Sequence, residues 1–360
     1  MKRYKKIIII VLSILIIFPL VHFCLSAIIY DGIFNERYET VAPYNYTIDE
    51  FSDLHRKQYN FNSNENQKLV GYLYYYDEIL NPIGLVFVAH GMGGGGHKSY
   101  MECIYYFTKN NFLVFSYDAT GNDESEGKGI EGLPQQLIDL DYALNFVNDN
   151  LDEINDLPIM LFGHSWGGYA VTNILNFHND ISAVVSISGF NSSKDIIKIH
   201  AKEYVGFIAD LLLPSVYFYE KIKFGKYAKV SALSGFEKCD TNVMVIHSQD
   251  DDVVPIECGY DLYYDKYKDN TRFNFIKIKD KGHNHVFHSD DAIKEIDNIN
   301  IKFNEWLKTL DYDYTKKKNI NRFIEDKRNY LLQLDRNILC NLIDEELFDN
   351  IIDFYENSIK

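Results

Sequence analysis

The sequence predicts an α/β domain built on a mostly parallel β-sheet with helices on both faces. Short apolar runs that suit buried strands alternate along the chain with stretches of helical spacing. The predicted strands are, in order, Leu69–Tyr76, Gly84–Ala89, Phe112–Tyr117, Pro158–Phe162, Ala183–Ser188, Val243–Ile246 and Arg272–Ile278. Helices are predicted near Ser99–Lys109, over Leu133–Asn150 and from Trp166 to about Phe177. With 360 residues, 46% of them hydrophobic, the chain suffices for one large domain with additions or for two smaller domains.

Two stretches interrupt this alternation. Residues 190–238 lie between two predicted strands, are too long for a simple crossover and contain apolar helical material, which predicts an inserted helical cap. Residues 311–360 form a C-terminal helical extension that ends in apolar residues at four-residue spacing, namely Leu339, Ile343, Leu347 and Ile351. This stripe favours a terminal helix packed on the core over a helix that binds a partner. The main domain, residues 66–310, then follows a leading strand region at 31–65.

The N-terminal residues 1–30 resemble a membrane anchor. The first six residues include four cations and precede an apolar run over residues 7–30, which as a helix could cross a hydrocarbon core of about 30 Å. The flank after the run has no cationic excess, so the positive-inside bias predicts a cytoplasmic N-terminus and an extracytoplasmic remainder. A cleaved signal peptide with secretion is the alternative, but the best cleavage site, Cys24–Ala27, is poor. The sequence therefore favours an uncleaved single-pass signal-anchor.

Charge and cysteine content narrow the function classes. The formal net charge of −16 repels phosphate backbones, so nucleic-acid binding is not expected. The five cysteines have no C-x-x-C spacing, which predicts free and mostly buried thiols rather than a disulfide framework. No cofactor and no metal are predicted, and nothing in the sequence indicates an oligomeric state.

The most informative motif is Gly163-His164-Ser165-Trp166-Gly167, which matches G-x-S-x-G. It lies between a predicted strand and a predicted helix, a turn that holds a serine in the open where a base can reach it. Gly163 and Gly167 suit this turn because a Cβ at either position would clash with the crowded backbone. The motif predicts a nucleophilic hydrolase with Ser165 as the nucleophile, provided that the chain also supplies a base, an acid and oxyanion donors.

Candidates for the base and the acid follow the last two predicted strands. His283, preceded by Gly282, is the preferred base, and His285 and His288 are the nearby alternatives. These three histidines lack the carboxylate or thiol spacing of a metal site. The acid lies among Asp250, Asp251 and Asp252, which the chemistry of the residues alone does not separate.

Backbone donors for an oxyanion are expected in the glycine-rich turn His90-Gly91-Met92-Gly93-Gly94-Gly95-Gly96, together with the N–H of Trp166. The turn does not fit a phosphate-binding pattern. The chain order is thus nucleophile, acid, base. Each element follows a predicted strand, so all should meet at the carboxyl edge of one sheet.

Together these motifs resemble the α/β-hydrolase superfamily over residues 66–310, in the capped branch of monoacylglycerol-lipase-like and serine-aminopeptidase-like enzymes. Residues 116–127 are similar to the branch's D-x-x-G-x-G-x-S-x-G segment, with Asn122-Asp123 in place of the tighter glycine pattern. The branch's H-G-x-x-D-x-x-x-P motif implies that Asp251 is the acid, with Ser248 replacing the glycine. Its G-H motif implies His283 as the base, and its position after His90-Gly91 implies the Met92 N–H as an oxyanion donor.

The resemblance implies a serine hydrolase with an eight-stranded type of sheet and with a cap that sets the substrate. The expected substrate class is a carboxylic ester. The apolar cap and the anchor suggest that its acyl group is lipid-like. The alternatives are a peptidase of the same fold, for which Glu203 and Asp210 are candidates to bind a free amine, and a non-catalytic binding protein that retains the fold. The anchor followed by this domain also resembles membrane-anchored hydrolases of low-GC Gram-positive bacteria.

Overall fold

The fold is organised around an eight-stranded sheet with the order β1-β2-β4-β3-β5-β6-β7-β8. The strands are β1 Leu54–Asn62, β2 Lys68–Tyr76, β3 Gly84–Ala89, β4 Phe112–Asp118, β5 Ile159–His164, β6 Ile181–Ile187, β7 Asn242–Ser248 and β8 Phe273–Ile278. The pairs β1/β2 and β2/β4 are antiparallel, and every other pair is parallel. The predicted α/β architecture is confirmed, and each predicted strand lies within two residues of the observed bounds.

Helices cover both faces of this sheet. The α-helices are α1 Lys2–Phe34, α2 Met101–Lys109, α3 Pro134–Asn150, α4 Trp166–Asn173, α5 Ser193–Val205, α6 Ala209–Phe224, α7 Ala232–Phe236, α8 Tyr260–Tyr267, α9 Asp290–Thr309, α10 Ile320–Leu331 and α11 Glu345–Ser358. Short 3₁₀ turns occupy Ala42–Tyr44, Ile48–Glu50, His97–Tyr100, Asp152–Ile154, Ile174–Asn176, Gly206–Ile208, Tyr227–Lys229, Ile256–Cys258 and Lys317–Asn319.

The central strands are buried along their length, whereas the first strand is not. Every residue of β3 and of β4 is buried, as continuous apolar strands between two helical layers should be. Strand β1 is mostly polar and mixes buried with exposed positions, as an edge strand does. The central sheet therefore separates two apolar cores, and the loops at its carboxyl edge are held from both sides.

The computed structural model describes residues 2–77, 81–154, 156–335 and 342–359, without the side chains of residues 2–5, 7–14, 16, 18 and 153. The predicted anchor at 7–30 therefore lies partly outside the described residues and stays a prediction. No helix formed by the described residues has both the length and the apolar stretch that crossing a membrane requires. Cys340 and Leu339 also lie outside the described residues, and the four described cysteines are free.

The two interruptions of the α/β alternation are both helical. Between β6 and β7, residues 190–238 form α5, α6 and α7. At the C-terminus, α11 packs on the core through Leu347 and Ile351, as the apolar stripe predicts. The stripe is shorter than expected, since Ile343 precedes the helix and forms an isolated β-bridge with His288.

Candidate active site

Ser165 occupies a strained turn between β5 and α4. Its φ of 56° and ψ of −115° lie in a region that L-residues rarely adopt. A Cβ on Gly163 would lie 2.3 Å from the Gly167 carbonyl oxygen, and a Cβ on Gly167 would lie 1.9 Å from the Ala89 carbonyl oxygen. Both glycines are therefore needed for the turn. The Ser165 N–H donates to the Ile187 carbonyl at 2.8 Å, which fixes the turn against β6.

The structure brings Ser165, His283 and Asp251 into one hydrogen-bonded chain. Nε2 of His283 lies 2.8 Å from the Ser165 Oγ, and its Nδ1 lies 2.8 Å from Oδ2 and 3.0 Å from Oδ1 of Asp251. Because a carboxylate only accepts, Nδ1 carries the proton and Nε2 is left to accept from the serine hydroxyl. This is the tautomer in which a histidine can remove a proton from serine.

Of the three consecutive aspartates, Asp251 is the one that contacts His283. Its Oδ1 also accepts the N–H groups of Val253 at 3.0 Å and Val254 at 2.8 Å. Burial acts to raise the pKa of Asp251, but hydrogen bonds from His247 and His283 outweigh it and hold this pKa well below its usual range. The Asp251 side chain is therefore ionised at neutral pH.

The neighbouring aspartates have different surroundings. Asp250 accepts the Gly282 N–H at 3.2 Å and the Ser248 hydroxyl at 2.5 Å, so it ties the end of β7 to the loop that carries His283. Asp252 is exposed. Asp251, the acid that the resemblance implies, is thus the aspartate placed beside His283.

The glycine-rich turn after β3 reaches the same cavity. Met92 lines this cavity beside Ser165. The Gly91 N–H donates to the Tyr100 hydroxyl at 2.9 Å and is thus occupied. The Trp166 N–H stands at the first position of α4, where a helix offers no internal acceptor. These two backbone groups, on Met92 and Trp166, are the candidate oxyanion donors.

His90 holds the turn in place. Its Nε2 accepts the Ala119 N–H at 2.9 Å, so the proton lies on Nδ1, which donates to the Gly91 carbonyl at 2.8 Å. Burial lowers the pKa of His90, which favours the neutral ring that this pattern needs. The predicted motif residues His90 and Gly91 therefore shape the loop and do not face the reacting atoms.

Asp118 and His97 connect this turn to residues 116–127. Oδ1 of Asp118 accepts both the His97 N–H at 2.9 Å and its Nδ1–H at 2.6 Å. Burial acts to raise the pKa of Asp118, but the charge and hydrogen bonds of His97 lower it to about 2. A Cβ on Gly96 would lie 1.9 Å from Asp118 Oδ1, so the glycine is required for this approach. The segment that resembles D-x-x-G-x-G-x-S-x-G is thus a buried support for the turn.

His164 and Tyr100 form a brace that sequence reasoning missed. Nε2 of His164 lies 2.9 Å from the His283 carbonyl oxygen, and its Nδ1 lies 2.9 Å from the Tyr100 hydroxyl. Since the carbonyl can only accept, Nε2 donates to it and Nδ1 accepts from Tyr100. Burial, reinforced by the nearby His283, lowers the pKa of His164 to about 3. His164 was visible only as the variable residue of G-x-S-x-G, and no sequence signal marks Tyr100.

The C-terminal extension supports the loop that follows His283. The Asp344 N–H donates to the Phe287 carbonyl at 3.0 Å, and the Ser289 N–H donates to the Leu342 carbonyl at 3.3 Å. This support for the base loop has no counterpart in the sequence prediction, because it joins segments that no motif connects.

The cavity in front of Ser165 has a volume of about 610 Å³. It is lined by Val41, Tyr44, Gly91–Gly95, Ser99, Tyr100, Glu102, His164, Ser165, Val253, His283–His285, Phe287, His288, Ile296 and Asn300. Among the described lining residues none comes from 190–238, so the expectation that the cap sets the substrate does not hold for this cavity. The cap helices pack elsewhere, and α6 lies against α1.

The alternative histidines lie in the cavity but do not contact Ser165. His285 and His288 line its wall, and no partner is found for Nδ1 of either ring. In the part of the chain that the structure describes, no group of three or more His, Cys, Asp or Glu side chains is arranged to hold a metal ion. The arrangement can transfer a proton from Ser165 to His283 and can place an acyl carbonyl between the serine and two backbone donors.

Comparison with known proteins agrees with this fold. Residues 81–234 match the family model described as serine aminopeptidase, S33. The esterase Pf2001 of Pyrococcus furiosus is similar in three crystal forms. The P2₁2₁2₁ form has 18% identity and a TM-score of 0.53, and covers 76% of this chain and 97% of the esterase. The P2₁ form has 16% identity and a TM-score of 0.52, with 73% and 95% covered. The C222₁ form has 17% identity and a TM-score of 0.52, with 76% and 96% covered. No curated protein matches the sequence.

The fold and the matched family define the class. The match of residues 81–234 to the serine aminopeptidase family model and the similarity in fold to a known esterase support the α/β-hydrolase superfamily and its serine-aminopeptidase-like branch. The resemblance inferred from the sequence motifs is thereby confirmed at the level of superfamily and branch. The structural likeness itself extends to the fold only, because the identities are low.

Proposed function

We propose that the protein is a serine hydrolase that cleaves carboxylic esters through an acyl-enzyme. The observation that carries this proposal is the continuous hydrogen-bonded chain from the Ser165 hydroxyl through His283 to Asp251, which opens on a cavity. The esterase Pf2001, whose fold is similar, supports an ester rather than another acyl compound. No cofactor takes part in this chemistry.

In the first half of the reaction the Ser165 Oγ attacks the acyl carbonyl while its proton passes to Nε2 of His283. Asp251 holds the ring in the required tautomer and stabilises the positive charge that it gains. The N–H groups of Met92 and Trp166 stabilise the negative oxygen of the tetrahedral intermediate. When the intermediate collapses, the bond to the alcohol oxygen breaks, and that oxygen takes the proton from His283.

In the second half a water molecule replaces the alcohol. Nε2 of His283 takes a proton from the water as its oxygen bonds to the acyl carbon, and a second tetrahedral intermediate forms at the same donors. Its collapse returns the proton to the Ser165 Oγ and releases the carboxylic acid. His164 acts on neither step directly, but its bond to the His283 carbonyl keeps the base within reach of the serine.

The cavity supports an acyl substrate with an apolar portion. Its apolar lining includes Val41, Met92, Val253, Phe287 and Ile296. A cavity of about 610 Å³ is within the range that holds a small organic ligand. Lipid-like acyl esters fit this lining.

A peptidase is the second candidate, favoured by the matched aminopeptidase family and by a carboxylate in the cavity. The carboxylates expected from the sequence, Glu203 and Asp210, are exposed, pair with His200 and Lys202, and do not line the cavity. Glu102 does line it, is buried and accepts the Tyr46 hydroxyl at 2.9 Å. A carboxylate so placed could bind the free amine of a peptide.

For location, we propose that residues 7–30 anchor the chain in the cell membrane with the hydrolase domain on the extracytoplasmic side. The support is the charge-free apolar run that follows four cations within the first six residues. Secretion after signal cleavage is the alternative.

The test is labelling of the full-length protein, in mild detergent, with a fluorophosphonate probe. The wild type should label, and Ser165→Ala should not, because the probe bonds to an activated serine. Hydrolysis of p-nitrophenyl esters should fall on the order of 10,000-fold or more in Ser165→Ala.

Other outcomes separate the candidates. Persistent labelling of Ser165→Ala would show that another residue is the nucleophile, and an unlabelled wild type would support the non-catalytic binding protein. Faster cleavage of aminoacyl p-nitroanilides than of esters, reduced by Glu102→Gln, would favour the peptidase.

A further inference from the structure

Helices α1 and α6 pack side by side and run in the same direction. His22 Nδ1 lies 2.7 Å from the Ser215 Oγ, and the Tyr30 hydroxyl donates to Glu220 Oε1 at 2.9 Å. One turn further, Lys223 Nζ donates to Asp31 Oδ1 at 3.0 Å. The residue numbers of the paired residues rise together along both helices, so the helices run parallel. The start of α6 therefore points toward the N-terminal end of α1.

This pairing sets the level of the turn between α5 and α6. Ala209, the first residue of α6, lies about 9 Å before Ser215 along the helix axis, at about 1.5 Å per residue. The same distance along α1 leads from His22 back to the region of Leu15 and Ile17. By this projection the 3₁₀ turn Gly206–Ile208 stands level with residues 15–17 of α1, at the end of the cap away from the Lys223–Asp31 pair.

Both elements expose apolar side chains, at this level and further along the two helices. Tyr204 and Phe207 are each 86% exposed, and Leu211 is 62% exposed. Among the α1 side chains that the structure describes, the exposed large apolar residues are Leu15, Ile17, Leu20, Val21, Leu25, Ile28, Ile29 and Ile33. Those of α5, α6 and the turn between them are Tyr204, Val205, Phe207, Ile208, Leu211, Phe218 and Ile222. We call these two sets together the α1–cap surface. Large exposed apolar surfaces of this kind mark sites that bind a membrane or another protein.

Charge beside the surface favours a lipid headgroup region. Lys194, Lys198 and Lys202 stand four residues apart and thus on one face of α5. Lys202 pairs with Asp210 at 3.2 Å, and Lys194 and Lys198 continue this cationic face on a chain whose net charge is −16. Lysines that flank exposed aromatic and aliphatic side chains are typical of helices that lie in the membrane interface.

We propose that a lipid bilayer covers the α1–cap surface, with the α5–α6 turn inserted at the boundary between headgroups and acyl chains. The inference rests on the proposed membrane location and deepens it, because it assigns a second membrane-binding element outside residues 7–30. The α1 part of the surface belongs to the same continuous helix as the proposed anchor, residues 7–30. This continuity argues for lipid over a protein partner. Insertion removes the apolar area of Phe207 and its neighbours from water, which is favourable.

The test is the quenching of tryptophan fluorescence by brominated phospholipids, with the full-length protein reconstituted in vesicles. The variants are Phe207→Trp in the turn, Ile17→Trp in α1, and Leu332→Trp as the control. Leu332 is 75% exposed and apolar but follows α10, away from the α1–cap surface. The wild type supplies the background of the two native tryptophans.

The emission added by Phe207→Trp should fall by about half or more when bromine is near the glycerol end of the acyl chains. Quenching should be weaker when bromine is near their methyl ends. Ile17→Trp should also be quenched, and Leu332→Trp should give the same emission in brominated and unbrominated vesicles.

Three results would overturn the inference and can be told apart. An unquenched Phe207→Trp beside a quenched Ile17→Trp would leave α1 in the bilayer and exclude the turn from it. If neither were quenched, the proposed location would fail as well. A blue-shifted but unquenched Phe207→Trp would mean that protein, such as a second copy of this chain, covers the surface. Fluorophosphonate labelling is independent of all three results.

Discussion

The carboxyl edge of the sheet and the α1–cap surface differ in how their side chains are held. At the edge, Ser165, His283 and Asp251 are buried and bonded atom to atom, and His164 adds a further bond to the base loop. At the α1–cap surface the side chains are apolar and exposed, and directional bonds such as Tyr30 to Glu220 lie along the seam where α1 packs on α6. Proton transfer at the active site needs fixed distances between atoms. Contact with a lipid surface needs only exposed apolar area at the depth of the membrane interface.

This difference predicts opposite sensitivities. Single-atom changes at the edge should reduce turnover with little change in stability, and changes at the seam should reduce stability with little change in turnover. The predictions below test that contrast, beginning with the largest expected effect.

The largest effect is expected from Asp251→Asn. An amide can present its NH₂ group to His283 and favour the wrong tautomer, so kcat for ester hydrolysis should fall on the order of 1,000-fold or more. The matched controls are Asp250→Asn, which retains an acceptor for the Gly282 N–H, and the exposed Asp252→Asn. Both should stay within about tenfold of the wild type.

The comparison uses steady-state kinetics together with thermal unfolding of each variant. Equal losses of kcat in all three variants would remove the assignment of Asp251. Full activity of Asp251→Asn would show that His283 needs no acid partner.

The edge of the sheet was also the part most accessible to sequence reasoning. Ser165, Asp251 and His283 each follow a strand of continuous or alternating apolar residues, and parallel strands bring their carboxyl ends together. Local patterns locate Ser165 and His283, whereas the choice of Asp251 among three aspartates came from the family resemblance. The observed strands β3 and β4 begin at the predicted residues for the same reason, because a strand buried on both faces is apolar throughout.

What the sequence did not reveal depends on contacts between distant segments. The bond between Tyr100 and His164 joins residues 64 positions apart, and no periodicity encodes it. The same holds for the bond from Asp344 to Phe287 behind the base loop. The cap was predicted as a helical insertion, but its position against α1 rather than over the cavity follows from side-chain packing at Tyr30 and Glu220.

An intermediate effect, on stability with a pH signature, is expected from Asp118→Asn. The pKa of Asp118 is about 2 in the folded protein, below its ordinary value of 3.8. A lowered pKa means that the carboxylate stabilises the fold above pH 3.8 and that this stabilisation is lost as the pH falls toward 2. The free energy of unfolding of the variant should therefore be about 2 kcal/mol lower than that of the wild type at neutral pH.

Urea unfolding from pH 7 down to pH 2.5 checks this, with Asp252→Asn as an exposed control. The difference in the free energy of unfolding between Asp118→Asn and the wild type should become smaller below pH 3.8. A gap that stays constant with pH would mean that the loss comes from packing around His97 and not from the charge of Asp118.

The smallest effect is expected at the seam, from Tyr30→Phe. Tyr30 donates to Glu220, whose other oxygen accepts the Ser193 hydroxyl at 2.7 Å. Burial raises the pKa of Glu220 above its ordinary value, and these two hydrogen bonds act against that rise. Without the tyrosine hydroxyl the buried carboxylate keeps one side-chain donor, so the free energy of unfolding should fall by about 1 kcal/mol.

A raised carboxyl pKa costs stability only where the group would ionise in the unfolded chain, so the loss should be larger at pH 7 than at pH 4. Tyr204→Phe, at an exposed position on the same cap, is the matched control and should match the wild type at both pH values. Ester turnover should be unchanged in both variants, since the seam and the cavity share no residue. A loss of turnover in Tyr30→Phe without a loss of stability would show that the seam acts on the active site, and the contrast between the two regions would then fail.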